Sequence, residues 1–246
     1  FIAVCDGHGE NGHYVSDYLV KHLPLEFQKD LTKLLSEGIN IFEKDNFIKL
    51  QNIFYSSFKR TDNNMLDYCK NDEEAKFDVE YSGSTCVSIL TKEENMNTIY
   101  IGNVGDSRAI MIKETINKYW TCQQLSRDHK PTEKDEANRI INEYDGEIEK
   151  IEDDEGNWTG PLRVWMKGSD GPGLAMTRSF GDEVGTSVGV ICTPEVTEYK
   201  VMEEDRAIII ASDGLWEYMG NKEVTDIVKN LIDKKDPDLI VNQLYK

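Results

Sequence analysis

Basic residues are scarce in this chain. Its 28 Lys and Arg stand against 46 Asp and Glu, giving a formal charge of −18 and a pI near 4.6. Such a surface repels a phosphate backbone, which excludes nucleic acid as a partner; solubility is the plain reading of the acidity, part of which can serve a cation site. Long apolar runs are missing as well. No window approaches the roughly 20 apolar residues of a membrane-spanning helix, so no membrane is expected. The five cysteines, Cys5, Cys69, Cys86, Cys122 and Cys192, are scattered, odd in number and never spaced C-x-x-C. That pattern excludes structural zinc and a disulfide framework and fits a reducing, intracellular compartment, cytoplasmic or nuclear. There is neither an initiator methionine nor a signal peptide. The chain opens inside an apolar run and stops inside amphipathic sequence at Asp238 to Lys246, so it reads as a piece of a longer protein. A length of 246 residues with 39% hydrophobic content is enough for one domain, residues 1–246, truncated at both ends and expected as a monomer.

What is present is organised around the beginning, Phe1-Ile2-Ala3-Val4-Cys5-Asp6-Gly7-His8-Gly9. An apolar run bounded by a Gly-rich turn reads as a buried strand with polar residues at its rim. Asp6 and His8 are two apart and share a face on extended backbone, where a carboxylate and an imidazole can hold a metal ion and move protons.

Helical spacing follows over Tyr14 to Leu23, interrupted by Pro24, and again over Asp45 to Tyr68, with Phe47, Leu50, Ile53, Phe54 and Phe58 as a core stripe. The acidic stretch Asn71 to Glu80 reads as a solvated connection. From Tyr81 strands take over: Cys86 to Leu90, Thr98 to Val104 and Ala109 to Ile112, the last two read as a hairpin around Gly105-Asp106-Ser107-Arg108, and then Tyr119 to Leu125. Thr132 with Asp135 suggests a capped helix reaching Tyr144 and ended by Gly146. Ile148 to Ile151 and Leu162 to Met166 flank the turn Asp153-Asp154-Glu155-Gly156-Asn157, a solvated hairpin tip without EF-hand spacing. Strand-like runs lie around Val190 and Val196. Ala207 to Ala211 then repeats the opening design and ends in Ser212-Asp213-Gly214, before helices at Lys222 to Asp233 and Pro237 to Leu244. Tight turns between strands argue for antiparallel sheets.

Asp6, Asp106 and Asp213 thus each sit beside glycine at a strand end or turn. Carboxylates gathered at one sheet edge suit hard divalent cations such as magnesium or manganese. Each alone would be an ordinary turn residue. A competing pattern, Gly7-His8-Gly9-Glu10-Asn11-Gly12, matches the dinucleotide fingerprint G-x-G-x-x-G, with Glu26 near the acid's expected distance. Glu26 lies in helical sequence beside Pro24, however, and the later chain lacks alternating helices. No thiolate-phosphatase arrangement and no G-x-S-x-G elbow is present.

Six motifs in order are more specific: Asp6-Gly7-His8-Gly9, Gly83-Ser84-Thr85, Gly102 to Arg108, Asp128-His129-Lys130-Pro131, Leu174 to Asp182, and Ser212-Asp213-Gly214-Leu215-Trp216. Over nearly the whole chain this resembles the metal-dependent, type 2C protein serine/threonine phosphatases. The resemblance implies an α+β fold, a four-layer α-β-β-α sandwich of two antiparallel sheets flanked by helices. It implies phosphoprotein substrates and two Mg2+ or Mn2+ ions, with a third as a further possibility of the family.

Carried over, the resemblance makes Asp6 the carboxylate bridging both metals, the Gly7 carbonyl a ligand of one, Asp213 a ligand of the other and Asp106 a ligand of a third. His8 resembles the general acid that protonates the leaving alkoxide, while a water between metals about 3.5–4 Å apart supplies hydroxide for in-line attack. His129 reads as structural, and Arg178 as supporting the fold or bordering the substrate groove. The family's phosphate-binding arginine and acidic pair would precede Phe1, and its Gly-Asp-Asn turn would follow Lys246; residues 1–246 alone are therefore expected to bind metal weakly. Glu217 stands where Asp is common. A phosphatase-like binding domain without activity is the alternative function, and a dinucleotide-binding oxidoreductase a distant third.

Overall fold

The computed structural model describes residues 1–40, 46–71, 75, 77–92, 97–153 and 155–245. In chain order the elements are β1 (Ile2–Val4), β2 (Gly7–His8), α1 (Gly12–Ser36), α2 (Phe47–Asn71), β3 (Gly83–Ser84), β4 (Cys86–Thr91), β5 (Thr98–Val104), β6 (Arg108–Glu114) and β7 (Trp120–Gln124). There follow α3 (Lys134–Asn138) running into a π turn (Arg139–Glu143), β8 (Glu147–Glu152), β9 (Trp158–Trp165), β10 (Pro172–Leu174), β11 (Phe180–Gly181), α4 (Glu183–Ser187), β12 (Glu195–Lys200), β13 (Asp205–Ala211), α5 (Asp213–Trp216), α6 (Asn221–Leu231) and α7 (Pro237–Leu244).

Four layers follow from the period-2 pattern of the central strands. One sheet has the order β1-β4-β5-β12 and the facing one β13-β6-β7, both antiparallel. Along β4, Cys86 and Leu90 turn toward the helices, packing with Val15, Leu19, Phe27, Phe54 and Phe58 of α1 and α2. The alternate residues Val87 and Ile89 turn inward and meet Ala109 and Met111 of β6 and Ile208 and Ile210 of β13. On the far side Ile110, Ile112 and Ile209 pack against Trp216, Val224, Val228, Ile240 and Leu244. A strand covered on both faces has no polar alternation, which is why β6 and β13 read as continuous apolar runs. The α-β-β-α sandwich expected from the sequence is the architecture observed. All sheets among the described residues are antiparallel, which removes the ground for a dinucleotide-binding α/β fold. The glycines of that fingerprint have a packing reason: a Cβ on Gly7 would lie 2.0 Å from the Gly12 carbonyl oxygen, so both glycines let β2 rest on the first turn of α1.

Local expectations fail where long-range packing decides. Pro24 does not interrupt the first helix, which runs through to Ser36. The carbonyl four residues earlier belongs to Val20, itself 62% exposed, so water can replace the lost bond while Leu23 and Phe27 bury beneath. The second helix starts at Phe47; its expected beginning at Asp45 lies outside the described residues, as do positions 72–74 and 76 of the acidic connection. β5 and β6 do not form a hairpin. β5 pairs with β4 and β12 while β6 pairs with β13 and β7, so Gly105, at φ +98°, is the point where the chain crosses between sheets. Thr132 caps nothing: α3 begins after Glu133, and Asp135 is held by two bonds from Arg127 at 2.7 and 2.8 Å. Around Val190 only a single bridge forms, Ile191 with Arg178. The acidic turn is the expected hairpin tip: Asp153 accepts from the backbone N–H groups of Glu155 and Asn157, while Asp154 lies outside the described residues.

Candidate metal centre

The opening stretch forms two short ladders that share one register. Ile2 lies opposite Ile89, Val4 opposite Val87, Gly7 opposite Ser84 and His8 opposite Gly83, a single antiparallel register through β1 and β2. Between the two strands, Thr85 N–H donates to the Asp6 carbonyl at 2.9 Å, and Asp6 N–H donates to Thr85 Oγ1 at 3.2 Å. Register fixes direction: Val4 faces the second sheet, so Asp6, two residues on, points the same way. β13 of that sheet ends at Ala211, and α5 starts with Asp213. The two carboxylates meet at this rim. Burial and the adjacent Asp6 carboxylate together push the Asp213 pKa up.

The other motifs hold this rim together. Thr85 Oγ1 and Ser107 Oγ are 2.6 Å apart, tying the Asp6 backbone to the β5–β6 crossing. His129 Nδ1 accepts from Gly105 N–H at 3.1 Å, and the His129 backbone N–H donates to the Gly105 carbonyl at 3.0 Å. Arg108 clasps both Asp128 oxygens at 2.9 and 2.6 Å, donates to Asn221 Oδ1 at 2.7 Å and lies 5.2 Å from the Trp216 ring centre. Asp106, 2% exposed, is paired with the Lys130 ammonium. Burial raises the Asp106 pKa against that pull. The structure thus brings Asp6, Gly7 and Asp213 to one edge and holds Asp106, paired with Lys130, within electrostatic reach of Asp213 and His8. Among the described residues no group of three or more His, Cys, Asp or Glu side chains is arranged to hold a metal ion. Arg178 has a full set of protein partners in Glu136 and the Thr193 carbonyl. Glu217 lies exposed beyond α5.

One partner escaped the sequence. Asp182, fully buried, accepts from His8 Nε2 at 2.6 Å and also binds the Ser179 hydroxyl. Burial pulls the His8 pKa down, but the Asp182 carboxylate outweighs it and the net direction is up. The signal was present in Ser179-Phe180-Gly181-Asp182, part of a motif that carries the family resemblance without a role for its acid. Pairing of β11 with β3 and of β3 with β2 carries that acid to the histidine.

The donor set at this edge is all oxygen: two carboxylates forced together, next to an exposed backbone segment. Repulsion between them is relieved by a hard divalent cation, which the residues present therefore fit.

Comparison with known proteins gives the family. The family model described as protein phosphatase 2C matches residues 1–246. Probable protein phosphatase 2C 73 of Arabidopsis thaliana is 34% identical over 239 residues, covering 95% of this chain and 61% of the relative. A second protein of that description, from Oryza sativa subsp. japonica, is 31% identical over 252 residues, covering 95% and 57%. The chain therefore spans less than two thirds of the relatives' length. Among solved structures, serine-threonine phosphatase 2C from Toxoplasma gondii shares the fold with a TM-score of 0.75 at 24% identity, covering 99% of this chain and 77% of that one. A C. elegans sex determining protein does so with a TM-score of 0.71 at 22% identity, covering 99% and 52%. With a sandwich of the same kind, a carboxylate pair at its rim and a family match along its full extent, this chain belongs to the protein phosphatase 2C family.

Proposed function

We propose that the protein of which this chain is part hydrolyses phosphoserine and phosphothreonine in phosphoproteins, using Mg2+ or Mn2+. The observation that carries the reading is the meeting of Asp6 and Asp213, some two hundred residues apart, beside His8 at the end of two sheets. Asp6, the Gly7 carbonyl and Asp213 would hold the metal, with Asp106 as a further ligand once released from Lys130. A divalent cation so placed supplies Lewis acidity for activating water and for the charge on the phosphoryl oxygens.

The chain's own groups do the rest. His8 carries the proton for the departing serine or threonine alkoxide, a poor leaving group that needs one. Asp182 accepts from Nε2, so the ring is held in one orientation and its protonated state is favoured. Thr85 and Ser107 fix the Asp6 backbone, keeping the carboxylate on the inner face. Lys130 balances Asp106 at the back of the site.

The test is hydrolysis of a phosphothreonine peptide by the full-length protein, with and without manganese, comparing wild type with Asp213→Asn. Metal-dependent turnover lost in the variant is expected. Turnover without metal, or turnover indifferent to the substitution, overturns the mechanism; peptide binding without turnover identifies a binding domain instead.

A further inference from the structure

Two of the five cysteines face each other. β1 sets Val4 opposite Val87 and β2 sets Gly7 opposite Ser84, and the same register continued through the unpaired residues between them sets Cys5 opposite Cys86. Asp6 and Thr85 exchange the Thr85 N–H to Asp6 carbonyl bond at 2.9 Å and are a hydrogen-bonded pair. Alternation then makes Cys5 and Cys86 a non-hydrogen-bonded pair, in which Cα atoms lie about 4.5 Å apart and Cβ atoms about 4.5–5.5 Å. A disulfide accepts Cα separations of roughly 4.4–6.8 Å. Both side chains point to the same side, toward the helices, and pack in the same apolar cluster. The neighbouring Cys5 thiol, together with burial, pushes the Cys86 thiol pKa well up. Cys5 is partly buried, whereas Cys86 is fully buried.

We propose that Cys5 and Cys86 are an oxidative modification site that closes to a reversible disulfide on reaction with a hydroperoxide. With hydrogen peroxide, Cys5 Sγ takes one oxygen: an S–O bond forms, the O–O bond breaks and one water leaves. Cys86 Sγ then attacks the Cys5 sulfur. The S–S bond forms, the S–O bond breaks, and the hydroxyl leaves as a second water with the Cys86 thiol proton. Two thiols give up two electrons and two hydrogens, and the peroxide is reduced to two waters. A dithiol reductant reverses the bridge.

The bridge draws in the pair next to Asp6 and Thr85. A disulfide holds its Cβ atoms about 3.8 Å apart, closer than an open strand pair. Asp6 moves with its neighbour, and displacement of the order of 1 Å in an active-site group costs up to about a hundred-fold in rate. The bridge itself is independent of the proposed phosphatase activity; its effect on turnover rests on that reading.

The experiment exposes the reduced full-length protein to stoichiometric hydrogen peroxide, alkylates the remaining thiols and maps disulfides by mass spectrometry of a non-reducing digest. Peptides joined through Cys5 and Cys86, and separated again by dithiothreitol, are expected. Cys86→Ser should instead leave Cys5 driven to higher oxidation states that dithiothreitol does not reverse. Alkylation of both cysteines after peroxide, or Cys5 joined to another cysteine, overturns the proposal. Phosphothreonine hydrolysis measured alongside should fall about ten-fold in the bridged wild type and recover on reduction. A bridge that forms without that loss overturns the inhibitory part. A protein that bridges yet is inactive when reduced sinks the phosphatase reading and leaves the modification site standing.

Discussion

Asp182 and His8 are 174 residues apart in sequence and 2.6 Å apart in space. The carboxylate is fully buried and the imidazole mostly so, and the contact fixes which ring nitrogen is committed to the protein. Asp182→Asn keeps the shape and suits the backbone, since φ of +46° is tolerated by Asn. It removes the main influence that holds the His8 pKa up, leaving burial opposed only by the smaller pulls of Asp106 and Asp6. Turnover of a phosphothreonine peptide should drop roughly a hundred-fold, with the alkaline limb of the rate profile moving to lower pH. p-Nitrophenyl phosphate, whose leaving group needs no proton, should lose far less. Equal losses on both substrates would remove His8 from the proton-donor role.

Asp213 makes an opposite demand on stability. Its carboxyl titrates above the ordinary range because of burial and Asp6, so protonation favours the fold, and that stability is lost as pH rises through the folded pKa. In chelator at neutral pH, Asp213→Asn should therefore melt above wild type, with the gap closing toward pH 4. Manganese should reverse the order, because only wild type retains the carboxylate pair. Thermal denaturation with and without the metal reads both.

Lys130 offsets the charge of Asp106, which is almost entirely out of water. Lys130→Met leaves that carboxylate unpaired and should cost about 2–3 kcal/mol in denaturant unfolding with chelator present. If Asp106 is able to take a metal, manganese should return a large part of the loss to the variant and little to wild type. No manganese-dependent recovery would argue that Asp106 serves only the ion pair.

Glu136 offers an acid-stability test remote from the metal edge. Burial pushes its carboxyl up, but bonds from Arg178, Arg139 and Thr177 prevail and hold it well below the carboxylate range. A depressed folded pKa gives stability that is complete above the unfolded value near 4.5 and is lost as pH falls below it. Glu136→Gln should lower stability by about 3 kcal/mol at pH 7 and flatten the fall between pH 4.5 and 3. An unchanged acid slope in urea titrations would refute the assignment.

The layers are legible because burial writes itself into period 2 and period 3.6. The runs at Thr98 to Val104 and Ala207 to Ala211 can be taken directly as strands. Partnership is not legible. The spacing around Gly105 suits a hairpin, and only the choice of sheet partners for β5 and β6 decides otherwise. Pro24 misleads because the cost of a missing N–H depends on whether Val20 is wet, which a sequence does not state. Asp6, Asp106 and Asp213 stand out by their glycines. Asp182 lies within a recognisable motif but does not stand out as a site residue, since its partner is set by two short strand pairings no local pattern encodes.

The common register of β1 and β2 gives the chain a reading frame in space as well as in sequence. A strand offers each side chain only two faces, so loss of a single residue between Ile2 and Cys5 would either slide Ile2 and its neighbours along Ile89 or invert every side chain from there to His8. Inversion would send the Asp6 carboxylate into the apolar layer beneath α1 and α2 and turn the Cys5 sulfur toward Asp213. Substitutions along this stretch can be graded in their effect, whereas a one-residue deletion admits no intermediate outcome, and a library of deletions should show an abrupt boundary at β1.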